Sequence, residues 1–344
     1  MQTNTTKTLA RTPRAVQIAA GAALAGAATA AWVEYQARRA QKRHPPSGRL
    51  MEIDGTHLHF VERGDGPPVV LIHGNTVSLL DFMASGLIDR LALNHRVIAF
   101  DRPGFGYSDR PRDRLWTPAA QGQLLLRALS ALNVDRATLV GHSLGTCVAL
   151  AMALDAPERV DKLVLLGGYY YPSARIDSIL TAPVALPVLG DVMRYTVTAL
   201  TARALIKPVA KGMFAPRDIP PDFFSTQSRE MMIRPLQIRA NAEDAAFMIP
   251  AASRLSKRYG ELKMPVTIMA GALDRVVDPE DHSIRLHREL PHSRLILVPG
   301  YGHMVHYAAV DAIADAVTLR ADLADEVAQT VRPAAAALPI STSP

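Results

Sequence analysis

Apolar and polar residues along this chain alternate between two rhythms. Val69-Val70-Leu71-Ile72, Val97-Ile98-Ala99-Phe100, Ala137-Thr138-Leu139-Val140 and Leu163-Val164-Leu165-Leu166 are short apolar runs without a polar face. Such runs are strands covered on both sides. Between them lie stretches with helical spacing, Leu79 to Leu91 and residues 117–132, where Leu124, Leu125, Ala128, Leu129 and Leu132 share one side. Strand, helix, strand, helix predicts a mostly parallel, doubly wound α/β sheet. Ahead of it, Met51-Glu52-Ile53 and His57 to Val61 flank Asp54-Gly55, the signature of a hairpin. The rhythm stops after Tyr169-Tyr170-Tyr171-Pro172. Residues 173–260 show helical apolar stretches broken by prolines and no buried strand, so an all-helical insertion is expected. Strands return at 265–270 and 294–298, with helices at about 278–290 and 303–325.

The ends read differently. Residues 1–14 form a basic tail. Residues 15–33 carry no charge and are mostly alanine, and a helix over 15–35 is long enough to enter a bilayer. Three roles compete: a membrane anchor, a signal peptide cut near Ala28-Thr29-Ala30, and an alanine-rich arm in water. The basic cluster Arg38, Arg39, Lys42, Arg43 that follows favours an uncleaved anchor. Residues 36–48 read as a basic, Pro-containing linker, 49–172 and 261–325 as the two parts of one core, 173–260 as a cap over it, and 326–344 as a flexible tail.

Charge narrows the partners. The net +6 sits entirely in residues 1–48, and the rest holds 31 basic and 31 acidic residues. A neutral body leaves no footprint for nucleic acid. The lone cysteine, Cys147, excludes an intrachain disulfide framework and a cysteine-built zinc site, and no metal is expected.

The chemistry gathers on Gly141-His142-Ser143-Leu144-Gly145, placed between a strand and an apolar helix. A serine between glycines at that junction is a nucleophile elbow. The hydroxyl needs a base, and the base needs an orienting acid. In a parallel sheet both must follow the carboxyl ends of strands. Asp274 follows the 265–270 strand and His303 follows the 294–298 strand, giving the order Ser143, Asp274, His303. Asp278, before Pro279, reads as a helix cap. His306 reads as a packed or pocket residue, and His57 and His59 as surface residues of the hairpin. For a developing oxyanion, the amide of Leu144 and that of Asn75 are the expected donors, with His73 and Gly74 supporting the loop. His142, beside the nucleophile, is a pocket candidate.

These pieces, with Asp101-Arg102-Pro103-Gly104-Phe105-Gly106-Tyr107-Ser108, resemble the α/β-hydrolase fold superfamily over roughly residues 49–325. The resemblance implies a helical cap and no cofactor. Its branch includes epoxide hydrolases and haloalkane dehalogenases, which place an aspartate where this chain has Ser143. The expected activity is hydrolysis of apolar carboxylic esters through an acyl-enzyme. The alternatives are hydrolysis of a C–C bond in meta-cleavage products and a non-catalytic scaffold. The Met- and Phe-rich cap suits an adaptable apolar pocket. Oligomeric state is not legible in the sequence.

Overall fold

A computed structural model describes residues 13–174 and 176–318, and the side chains of 176–180 are left aside. The expected tails, apart from Pro13 and Arg14, and the end of the last helix fall outside these residues. The eight strands are β1 (Arg49–Ile53), β2 (Thr56–Arg63), β3 (Pro68–Ile72), β4 (Arg96–Phe100), β5 (Ala137–His142), β6 (Val160–Leu166), β7 (Val266–Gly271) and β8 (Arg294–Val298). They form one sheet in the order β1-β2-β4-β3-β5-β6-β7-β8. The β1–β2 hairpin is antiparallel and pairs antiparallel with β4, and every later pairing is parallel. The hairpin turns at Asp54 and Gly55, both at positive φ, as a type I′ turn requires.

The doubly apolar strands are explained by two separate cores. Val70, Ile72, Leu139 and Leu165 face one way, onto the Pro118–Ala131 and Leu144–Asp155 helices. Val69, Leu71, Val140 and Val164 face the other way, onto the Leu80–Ala84, Leu87–Leu91 and Val310–Thr318 helices. The α/β architecture expected from the pattern is the one observed. Between β6 and β7 the chain leaves the sheet as a run of helices from Ile176–Ala185 to Pro235–Leu255, and no strand interrupts it among the described residues.

Two expectations need correction. The stretch 36–48 is not a linker along its whole length, because one 30-residue helix runs Arg14–Arg43 and stops just before Pro45. Gln36, Ala37, Arg38, Arg39, Ala40 and Lys42 are good helix formers, and the prolines alone end the run. The helix is also not free along its length. Val33, Ala37 and Ala40 are buried, and Val33 packs among Val184, Ala199, Ile238 and Ala242 of the insertion. The second correction concerns His59, which is buried on β2, with Nδ1 2.6 Å from Oδ2 of Asp101. His57 alone of the pair faces solvent.

Candidate active site

Ser143 occupies the sharp step from β5 to the Leu144–Asp155 helix, with φ 52° and ψ −121°. That conformation is costly for a residue with a Cβ and survives only where the surroundings enforce it. The enforcement is local. The Ser143 amide donates to the carbonyl of Leu166 on β6 at 2.9 Å, and its own carbonyl accepts from the Thr146 hydroxyl at 2.6 Å. The two glycines make the step possible by close approach. A Cβ at Gly145 would stand 2.1 Å from the carbonyl oxygen of Ile72, and one at Gly141 would stand 2.8 Å from that of Gly145.

Asp274 lies just beyond β7, and its Oδ1 accepts the amides of Val276 and Val277 at 2.8 and 3.0 Å. Those bonds aim Oδ2 at His303, whose Nδ1 donates to it at 2.8 Å. Burial alone would raise the Asp274 carboxyl, but the His303 imidazole and these hydrogen bonds outweigh it and hold the group below its ordinary value. An ionised carboxylate on Nδ1 fixes the tautomer and leaves Nε2 to accept a proton. Ser143 and His303 border one cavity of about 370 Å³. No hydrogen bond joins their side chains among the described residues. Rotation about the serine Cα–Cβ bond moves the hydroxyl without disturbing the backbone, and such contacts are often loose before substrate binds.

The loop after β3 brings Asn75 to the same cavity. Among the described residues, the amides of Asn75 and Leu144 donate to no protein acceptor, so both remain available to an oxyanion. His73 is fully buried and spans the loop. Its Nδ1 donates to the carbonyl of Gly74 at 2.7 Å, and its Nε2 accepts the Arg102 amide at 2.9 Å. Burial, helped by the Arg102 charge, pushes its pKa down to about 4, so it stands neutral.

His142 is displaced from its expected role. It lines no part of the cavity. It is buried beneath it, with Nε2 donating to the His303 carbonyl at 3.1 Å and its ring 4.4 Å from that of His306. Burial pushes its pKa well down, so it supports the His303 loop as a neutral ring. His306 in turn donates from Nε2 to Asp81 at 2.9 Å, and the Tyr307 hydroxyl occupies the other Asp81 oxygen. Asp81, His142 and His306 hold donor atoms within 4.8 Å of one another. With the Asp81 oxygens already engaged, the cluster reads as internal support. Asp278 caps the turn after it through the amides of Glu280 and Asp281. Cys147 is a packing residue whose thiol burial pushes up to about 12.

Sequence reasoning gave no role to the residue that ties the site together. Arg102 is completely buried. Its guanidinium donates to the carbonyls of His73 and Gly74, to Oδ1 of Asn75 and to Gln121, and pairs with Asp244 at 2.5 Å. Asp244 belongs to the Pro235–Leu255 helix of the insertion. The same helix supplies Asn241 and Gln237, which bond the Thr76 amide and carbonyl at 2.8 Å each. The insertion is therefore latched to the loop after β3 through charge and amide groups. The Asp101–Ser108 motif carried a signal for this arginine, but nothing in local spacing points to Asp244.

The geometry agrees with comparison to known proteins. A family model described as alpha/beta hydrolase fold matches residues 67–210 and 225–309, well over half of the chain. The chain belongs to the alpha/beta hydrolase fold family. It is 26% identical over 271 residues to a 2-hydroxy-6-oxo-6-phenylhexa-2,4-dienoate hydrolase of Burkholderia cepacia, covering 76% of this chain and 89% of that one. It is 37% identical over 129 residues to a 2-hydroxymuconate semialdehyde hydrolase of Pseudomonas sp. (strain CF600), a match spanning 37% of this chain and under half of the relative, 46%. The crystal structure of an alpha/beta hydrolase fold protein from Burkholderia ambifaria superposes with a TM-score of 0.67 at 25% identity, covering 79% of this chain and 97% of that one. These matches place the chain among alpha/beta hydrolases, with the insertion as its cap.

Proposed function

We propose that this alpha/beta hydrolase cleaves carboxylic esters with apolar acyl chains through an acyl-enzyme on Ser143. Nε2 of His303 takes the hydroxyl proton as Oγ attacks the carbonyl carbon. The amides of Asn75 and Leu144 hold the oxyanion, and Asp274 steadies the imidazolium. His303 then gives its proton to the departing alcohol, and a water molecule repeats the sequence to release the acid.

The observation that carries the ester reading is the wall of the cavity. Val184, Leu205, Ile206, Val209, Met213 and Met248 dominate it, and no lysine or arginine lines it among the described residues. A neutral acyl chain is at home there, whereas a dienoate carboxylate would enter without a cationic partner. The C–C hydrolase reading is favoured by a different observation, the names of the relatives above. One experiment separates the readings. Initial rates are measured on p-nitrophenyl esters from acetate to laurate beside a vinylogous diketone acid. Rates that rise with chain length and collapse in Ser143→Ala, by about a thousandfold or more, are expected. Turnover of the diketone acid alone would favour C–C cleavage. A fluorophosphonate probe that labels the unmodified chain and spares Ser143→Ala excludes the inert scaffold.

We also infer that the Arg14–Arg43 helix anchors the protein to a bilayer. It is long and apolar enough to enter one, and little of its apolar stretch is covered by protein. An anchored chain stays with membranes through an alkaline carbonate wash at its full mass. A mass beginning near Ala31 would instead mean signal cleavage and export.

A further inference from the structure

The Val197–Phe214 helix of the cap is apolar on both sides. Its inner stripe, Ala199, Ile206, Ala210 and Met213, is buried as expected. Its outer stripe is Val197, Leu200, Leu205 and Val209, spaced three to five residues apart, and all four are exposed. A helix apolar all round belongs inside a core or in lipid. The segment before it continues the pattern: Val188 is 74% exposed and Val192 60%, with Leu186 and Leu189 beside them. Exposed apolar surface gathered in this way marks a contact site.

Three observations say what covers this face. First, it adjoins the anchor. The Leu189–Tyr195 helix packs against the Arg14–Arg43 helix, Ala199 packs on Val33, and the Arg203 guanidinium stacks 4.9 Å from the Trp32 ring. Second, the contact sits where the anchor leaves lipid. Residues 13–25 are exposed, and the side chains that meet the cap are Trp32 and Val33, next to Glu34, the first charge after the uncharged stretch. Embedding that stretch as far as Glu34 therefore brings the adjoining cap face to the headgroup level, where the apolar side of an interfacial helix enters lipid. Third, the charges match. Arg39, Lys42 and Arg43 follow the anchor, and Lys207 and Lys211 punctuate the cap helix, all exposed and suited to anionic headgroups.

We propose that the cap of this protein is itself a bilayer-docking face and that the substrate, an ester carrying an acyl chain, enters the cavity directly from the lipid. Leu205 and Val209 line the cavity and are also 55% and 45% exposed, so the helix in contact with lipid is the cavity's outer wall. This rests on the anchor and ester readings above.

The test uses the full chain and vesicles of phosphatidylcholine and phosphatidylglycerol in equal parts. Cys147 is buried, so single cysteines at Val192→Cys, Leu200→Cys and, on the core, Arg288→Cys can be labelled with an environment-sensitive fluorophore. Blue shift and quenching by lipids brominated in the acyl chain are expected at 192 and 200 and not at 288. A triple variant, Val188→Asp with Val192→Asp and Leu200→Asp, should keep its rate on p-nitrophenyl butyrate in water. It should lose about tenfold or more on a long-chain ester presented in the vesicles. Protein that floats with vesicles while both cap labels stay in water overturns the docking face and leaves the anchor standing. Protein that does not float overturns both. Shifted labels without vesicles, at twice the monomer mass, mean that a second copy covers the face and overturn the proposal. Equal losses on both substrates overturn entry from lipid. No ester turnover at all by the unmodified chain overturns the ester reading, while the labels still report docking.

Discussion

At the scale of single residues, the site depends on a few positions where chemistry and backbone conflict. Ser143 holds a positive φ because Gly141 and Gly145 let three backbones meet. Gly145→Ala is expected to yield no soluble folded protein, since its methyl would overlap the Ile72 carbonyl; circular dichroism and expression level check this. Asp274→Asn keeps the shape but presents the wrong hydrogen-bond pattern to His303. Its kcat on a p-nitrophenyl ester should fall by roughly ten-thousandfold, while circular dichroism keeps the folded spectrum. His73 governs a pH effect. Folded, it titrates near 4, against an ordinary value of 6.5. Between those values the unfolded chain binds a proton that the folded chain refuses, so stability falls as pH falls from 6.5 towards 4. The loss attributable to His73 is on the order of 3 kcal/mol, and His142 acts in the same direction. Urea midpoints at pH 7.5 and pH 5 measure the slope, which should be shallower in His73→Gln. Asp274 contributes in the same sense at lower pH, its stabilisation disappearing as its carboxyl takes up a proton below the ordinary value. At this scale the sequence was informative where motif and strand end coincide, as at Ser143. It misplaced His59 at the surface and His142 in the pocket, because burial of a lone histidine is decided by partners such as Asp101 and His306, which spacing does not reveal.

At the scale of elements, the Pro235–Leu255 helix does more than cover the cavity. Asp244 receives both Arg102 and Arg110, at 2.5 and 2.9 Å, with all three side chains removed from solvent. Removing the shared carboxylate leaves the buried Arg102 guanidinium without a counter-charge and Arg110 with Glu243 alone. Asp244→Asn should cost about 3–5 kcal/mol by urea denaturation. Because Arg102 also holds the Gly74 carbonyl and the Asn75 side chain, kcat should drop while KM moves less. Unchanged kinetics would confine the pair to stability. Strands and helices were readable from periodicity because both faces of the sheet are buried and the apolar runs are unbroken. The Leu79–Leu91 pattern was read as one helix and is two, parted by Gly86 at φ 76°. The Arg102–Asp244 latch was not readable, since its partners lie 142 residues apart and neither belongs to a periodic pattern.

At the scale of the molecule, the N-terminal helix packs on the cap, and the cap lines the cavity bordered by Ser143. The sequence pointed to an apolar N-terminal segment and a helical insertion separately. Their contact was hidden, because the buried positions that join them, Val33, Ala37 and Ala40, are too few and too small to raise an amphipathic signal. Surface charge supplies a prediction here. Flotation with anionic vesicles should weaken as salt rises while retention on neutral vesicles holds, because screening removes headgroup attraction but leaves apolar insertion intact.

The split of the sheet around the cap also sets an order of events during synthesis. The apolar Arg14–Arg43 helix leaves the ribosome ahead of the sheet, and the serine follows with β5. Its acid and base arrive only with the loops after β7 and β8, once the whole cap has been made. A hydroxyl without its imidazole is inert. The growing polypeptide thus carries an idle serine, and its triad can be completed only when the last two strands close the sheet.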